Sequence, residues 1–444
     1  IGLAYSALLG LSAIFMGILI CLHADIFTPG SYDSTSNVRY NLKPFTREGL
    51  LLVLNMVILK PAILSIGIAH ETALKWTLAR EEDRFKAGCI RLEFNSNFRF
   101  LAHSYSTWSA TGLPATTYMA TSLALTYASS SMVLLELEDS SSGYNTVISF
   151  ISIIILGVSI LSQSVIAGIA ILMTDIPEPS WNQSPITTAH ILASCGLLQR
   201  QKGRCMLGLA HQFSRTRPKK PAEVQISAWN SHQQFSQFVQ YILMLVTSGF
   251  YWGLVIKGMI MSGVLGSQQG TSVLNFKWSG EAPVSGILWG LAILVGFQGG
   301  IVTTALTCTE TLVSLDYDEK LWREATSKRG TDPSPSFLKK YIISWQPTAI
   351  LLDDPFFHWL FGLAVGFSAD TDFHVRPLPV RVFGLLIIFS ATLGVDVPAF
   401  RKRPRPLCPK TYGHLQTLVD LVDEWSNTIG EEKLYWGHNT ACND

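Results

Sequence analysis

The chain reads as an all-α protein, a polytopic helical transmembrane bundle of about eight spans, on three observations. Hydrophobic residues make up 48% of the 444 and charged residues only 15%, whereas soluble domains carry about a quarter charged. Uncharged runs of about 20 residues alternate with polar stretches, the spacing that a hydrocarbon core of roughly 30 Å demands of helices. The polar stretches in turn alternate between basic and poor in Lys and Arg, which marks successive crossings.

The clearest spans are 1–22, 50–68, 147–173, 238–256 and 284–308, each apolar and long enough to cross as a helix. Positions 110–135 supply another, richer in Ser, Thr and Ala and so less hydrophobic than its neighbours. The last hydrophobic region is interrupted. Positions 355–367 are short for a span and 382–397 carry Asp396 near their end, so they form either two tilted spans or one re-entrant pair. Lipid cannot satisfy backbone N–H and C=O groups, so every crossing must be a helix.

Orientation follows from Lys and Arg. Lys75, Arg80, Arg84, Lys86, Arg91 and Arg99 make the stretch after the second span basic, and 200–220 and 320–340 are basic too. Cytoplasmic loops are therefore expected near 71–103, 174–236 and 311–350. The connection holding Glu136, Glu138 and Asp139 has no Lys or Arg, and 266–281 has only Lys277, so these face outward. Arg401, Lys402, Arg403 and Arg405 bring the chain back to the cytoplasm after an even number of further crossings. Residues 1–400 thus form the bundle and 401–444 a cytoplasmic tail. In that tail Leu415, Leu418, Val419, Val422 and Trp425 fall at helical spacing, with Asp420, Asp423 and Glu424 between them. This is a short amphipathic helix, and its acidic face suits docking onto the loops rather than onto anionic lipid. Asn182, in the sequon Asn182-Gln183-Ser184, falls in a loop read as cytoplasmic and is expected to carry no glycan.

Glycines recur four apart as Gly249 and Gly253, Gly286 and Gly290, Gly296 and Gly300, and Gly362 and Gly366. Small residues at that spacing let helix backbones approach closely. The net charge of +1 and the absence of interleaved basic and aromatic residues exclude nucleic acid as a partner. The expected partners are the lipid bilayer and proteins at the cytoplasmic loops. Seven scattered cysteines include no C-x-x-C pair, so neither a zinc nor a redox site is expected.

An ionisable side chain inside a span costs about 2.5–3.5 kcal/mol on insertion scales and is a functional candidate for that reason. Lys60 is one, followed by Pro61, which frees a backbone carbonyl and kinks the helix. It lines a pathway, snorkels, or forms a structural pair with Glu310 or Asp396. Gln298, among Gly296, Gly299 and Gly300, and Gln163, between Ser162 and Ser164, bond either a ligand or a neighbouring helix. Lys60, Gln163, Gln298 and Glu310 are the candidate binding residues. Asp353, Asp354 and His358 at the start of the seventh segment, and Asp370, Asp372 and His374 at its exit, contain metal-ligand chemistry. They equally suit interfacial polarity, with Asp354 as an N-cap before Pro355, and no metal is assigned. His70-Glu71 begins a metalloprotease pattern whose second histidine is missing. No phosphate loop, nucleophile elbow or dinucleotide fingerprint occurs, so no catalytic residue and no cofactor is expected.

Phe94-Asn95-Ser96-Asn97-Phe98-Arg99, Gly203-Arg204-Cys205-Met206, the stretch 413–425 and Lys433-Leu434-Tyr435-Trp436-Gly437 are similar to strings in a family of multispan membrane proteins of filamentous fungi. The resemblance covers most of the chain and departs in the tail, where His438, Asn439 and Thr440 replace acidic and basic residues. It implies a membrane protein and no activity. A transporter, channel or sensor-like role with a pathway near Lys60 and Gln298 is the leading expectation. A membrane scaffold is the alternative, and an intramembrane metal-dependent enzyme ranks third.

Overall fold

The computed structural model describes residues 1–22, 38–40, 42–85, 103–137, 145–174, 185–201, 276–278, 321–332, 345–369, 373–377, 415–422 and 433–436, with isolated positions elsewhere. The expected spans 238–256, most of 284–308 and most of 382–397 lie outside the described residues. Among the described residues, three helices are long and apolar enough to cross a membrane: α1 (Gly2–Leu22), the continuous rod Phe45–Glu81, and α5 (Phe150–Thr174). The rod comprises α2 (Pro44–Val53), a π-helical turn Leu54–Leu59, and α3 (Lys60–Phe85).

Local chemistry accounts for these elements. Pro44 opens α2 where its missing N–H is not needed. Pro61 cannot donate to the ladder, and its ring crowds the carbonyl four residues back. The backbone answers by widening into the π turn, where the Lys60 N–H bonds the Asn55 carbonyl, and the rod continues instead of breaking at a kink. At about 1.5 Å per residue, its 37 residues extend roughly 55 Å, far beyond the span 50–68 read from hydropathy. Ser149 caps α5, its hydroxyl accepting from the Ser152 N–H at 3.3 Å. The helix therefore starts at Phe150, and Val147 belongs to a strand.

Helix directions alternate. Gly2 lies against Ser65, and the Ser6 hydroxyl donates to the Ala62 carbonyl at 3.1 Å, so α1 runs antiparallel to the rod. In α4 (Leu113–Ser131), Ser130 meets Asn55 while the turn before it brings Ala110 to His70, so α4 also opposes the rod. Gly10 lies against Gly157, and Thr126 against Gln163, so α5 opposes both α1 and α4. In α7 (Trp345–Ala364), His358 stacks on Tyr127 and Gly362 faces Ser131, so α7 runs with α4.

At one end of this bundle the connections pair into a six-stranded sheet ordered β1-β3-β2-β5-β6-β4. The strands are β1 (Val38–Tyr40), β2 (Leu134–Leu137), β3 (Asn145–Ile148), β4 (Phe276–Trp278), β5 (Val365–Ala369) and β6 (Phe373–Pro377). All pairings are antiparallel except β2 with β5. The all-α expectation lacked this sheet. Strands of three to five residues carry too little alternation to be read individually, and their partners lie in distant connections.

The other end is a packed cap. Leu74, Trp76 and Leu78 at the far end of the rod share a buried cluster with three further segments. These are α6 (Pro185–Ser194) through Ile186 and Leu192, the stretch around Leu321 and Trp322, and α8 (Leu415–Leu421) through Leu415 and Leu418. The tail follows, as Leu434 and Thr331 exchange two backbone hydrogen bonds of 2.8 and 2.9 Å and Trp436 stands edge-on to Trp322. Tyr435 covers Gly330, whose φ of 64° and lack of a side chain permit that approach.

The seventh segment differs from its reading. Helix α7 starts at Trp345, passes through Pro355 and ends at Ala364, so Asp354 lies inside the helix and does not cap it. Phe367 and Gly366 lie in β5, so Gly362 and Gly366 do not share a helix face. The two aspartates made 345–354 look like a boundary, whereas the helix carries them through.

Candidate functional site

Helix α4 organises the polar interior. Its hydroxyls mostly return to carbonyls one turn back, as Thr116 does to Gly112, Thr126 to Ser122 and Ser129 to Leu125, which removes the cost of burying them. Nearly every residue between Ser122 and Ser130 is buried, because four elements surround this stretch. The Ser130 hydroxyl donates to Asn55 Oδ1 at 2.9 Å, while Asn55 Nδ2 donates to the Leu51 carbonyl inside the rod. Gln163 Nε2 donates to Thr126 Oγ1 at 3.0 Å and to the Ser159 carbonyl at 3.1 Å. His358 is buried on α7 with its ring centroid 3.7 Å from that of Tyr127, the planes 6° apart. Trp359 Nε1 donates to the Glu48 carbonyl at 3.1 Å, fastening α7 to the start of the rod.

Rod, α4, α5 and α7 therefore meet around residues 126–130. Gln163 belongs to this centre and bonds Thr126 of a neighbouring helix. Such bonds contribute about 0.6 kcal/mol on average within membrane bundles. Lys60 is half-buried at the end of the π turn, with its backbone N–H on Asn55. Gln298 and Glu310 lie outside the described residues. Asn55, Thr126, Ser130 and Tyr127 were not singled out from sequence, although Asn55 is the only polar residue in the run 50–59 and was a visible signal, and His358 was named only for its metal-ligand chemistry.

Asp353 and Asp354 lie within α7, His374 lies on β6 in register with Ser368 and Lys277, and Asp370 and Asp372 fall outside the described residues. Among the described residues, no group of three or more His, Cys, Asp or Glu is placed to hold a metal ion.

A second polar set lies where the rod approaches the cap. Lys75 and Glu71 form an ion pair one helical turn apart, with their side chains 6% and 4% exposed. His70 Nε2 donates to the Ala110 carbonyl at 3.2 Å, and Glu81 accepts the Tyr105 N–H on both carboxylate oxygens at 3.0 Å. His70 thus serves as a strut between the rod and the turn before α4. Comparison of the chain with protein-family models, with curated proteins and with solved structures finds no match in any of the three.

Proposed function

We propose that the chain is an integral multi-pass membrane protein of sensor-like type, whose bundle couples an outward sheet to a cytoplasmic cap. The observation that carries this reading is the rod Phe45–Glu81. It begins five residues after β1 ends and delivers Leu74, Trp76 and Leu78 into the cap core, so one uninterrupted helix joins both folded ends. A displacement of the sheet reaches the cap along a stiff element.

The eight-span topology is supported by the alternating helix directions and by which connections meet. The sheet draws on the connections poor in Lys and Arg, and the cap gathers the basic ones with the tail. By length alone, the 20 residues of α7, aligned with α4, suit a full crossing rather than half of a re-entrant pair. In the sequence, Asn182 falls between Thr174, whose hydroxyl is 3.5 Å from that of Thr77, and α6, which packs in the cap. Expression in a glycosylating host should leave Asn182 unmodified, and a glycan there would invert the orientation.

Coupling is tested by hydrogen exchange of the protein in lipid vesicles. Thr146→Pro in β3, a strand paired on both sides, removes a ladder donor. Amides in Pro185–Ser194 and Leu415–Leu421 are then expected to lose protection several-fold. Unchanged protection in the cap, with the sheet demonstrably loosened, would falsify the coupling. The transporter and channel forms of the reading predict solute flux through the vesicles that Gln163→Leu alters, and the sensor form predicts none. The scaffold reading is favoured by one observation, the direct helix-to-helix bonding of Asn55 and Gln163, and predicts a cap indifferent to the sheet.

A further inference from the structure

The turn before α4, residues 103–112, bonds part of its own backbone. The Ser104 N–H bonds the Thr111 carbonyl at 2.9 Å, Ser109 N–H that of Ser106 at 3.3 Å, and Gly112 N–H that of Ser109 at 2.9 Å. The hydroxyls of Ser104 and Ser109 meet at 2.6 Å. A side chain at Gly112 would stand 2.5 Å from the Thr107 carbonyl, so only glycine closes the turn this tightly. Glu81 and His70 then hold it against the rod at Tyr105 and Ala110. This ordered turn carries Trp108 at its tip, 92% exposed, beside the exposed Tyr105, and Leu113 and Tyr118 continue the exposed apolar surface along α4.

Water is a poor solvent for an indole held out in this way. The polar–apolar boundary of a bilayer is a good one, because the ring is amphipathic and that layer still offers water and ester carbonyls to the polar groups of the turn. Depth agrees. The bond to Ala110 sets the turn level with His70, just past the apolar run of the rod, and Leu172 and Met173, 84% and 75% exposed, end α5 one residue before Thr174 meets Thr77. The exposed apolar surface of the bundle thus continues to the level of the turn. We propose that residues 103–112 form an interfacial anchor that seats Trp108 among the glycerol and carbonyl groups of the cytoplasmic lipid leaflet, an assignment that rests on the multi-pass reading above.

Spin labels test it in phosphatidylcholine vesicles, placed one at a time by Trp108→Cys, Phe15→Cys on the exposed face of α1, and Arg329→Cys in the cap, in a background without the seven native cysteines. Relaxation by oxygen, which concentrates in lipid, is compared with relaxation by a water-soluble nickel chelate. The label at 108 is expected to respond to both, between the oxygen-dominated label at 15 and the nickel-dominated label at 329. A label at 108 that responds to nickel alone puts the turn in water and overturns the anchor, and one shielded from both reagents puts a protein partner there and overturns it equally. Nickel reaching position 15 as freely as 329 would instead bring down the membrane reading beneath it. If the cysteine-free background does not fold, Trp108→Phe in the native chain is compared with wild type for quenching by lipids brominated near the carbonyl. The quenched share of the emission from 12 tryptophans is expected to fall by up to about one-twelfth, and no fall overturns the anchor.

Discussion

Glu71→Leu is expected to destabilise the folded protein by about 3–5 kcal/mol, the usual cost of stranding one partner of a buried ion pair. Glu71 and Lys75 are both nearly inaccessible, and the segment holding them is flanked by Leu74 and Trp76 of the cap core. Without the carboxylate, the Lys75 ammonium is left in apolar surroundings without its charge partner. The double variant Glu71→Leu with Lys75→Met removes both charges at similar volume and is expected to recover most of the loss. Unfolding of the three proteins in one detergent decides the matter. Equal destabilisation of single and double variants would mean that the segment depends on packing at Glu71 rather than on the charge pair.

Gly157→Val is the second large effect, expected at about 1–3 kcal/mol from overpacking alone, with α1 leaving its seat on α5. A side-chain carbon at Gly157 would lie 2.6 Å from the Gly10 carbonyl oxygen and 2.8 Å from the Ile14 nitrogen. These are backbone atoms that cannot rotate away, and the reciprocal contact from Gly10 to the Gly157 carbonyl is 2.9 Å. Gly168, on the same helix, has open space where a side chain would grow. Gly168→Val is therefore expected to stay within about 0.5 kcal/mol of wild type. Comparable losses from the two substitutions would show that helix propensity and not the contact with α1 governs the response.

What could be read from the sequence followed the solvent each segment meets. Helices α1 and α5 were legible because one face of each, with Phe15 and Leu172 as examples, stays exposed and apolar. Helix α4 was fainter because its second half is solvated by protein, and Ser129 and Ser130 are tolerated where their hydroxyls find carbonyls. The rod extended past its apolar run because the cap covers Lys75 and Trp76, an interaction invisible to a hydropathy window. Glycine contacts were sought four residues apart, whereas Gly10 and Gly17 lie seven apart and meet α5 at Gly157 and Ile154. Of the candidate centre, Gln163 was named among the binding residues and His358 among the metal-ligand candidates. Asn55 and Tyr127, and the stacking of His358 on Tyr127, needed the three-dimensional register of four helices, which no local pattern supplies.

The polarity of α4 also bears on how the protein is made. In the multi-pass reading, a segment carrying this many hydroxyls gains little by leaving the translocation channel alone, since its favourable surroundings are the rod, α5 and α7 rather than acyl chains. The rod emerges before it and α5 soon after, but α7 starts more than 200 residues later. Helix α4 must therefore wait beside the channel or shelter against α5 and the rod in a provisional pair, and His358 closes over Tyr127 only after α7 has been made. Biogenesis of this bundle is thus ordered by the arrival of α7, which makes the nascent chain, rather than the finished protein, the state most dependent on help from the cell.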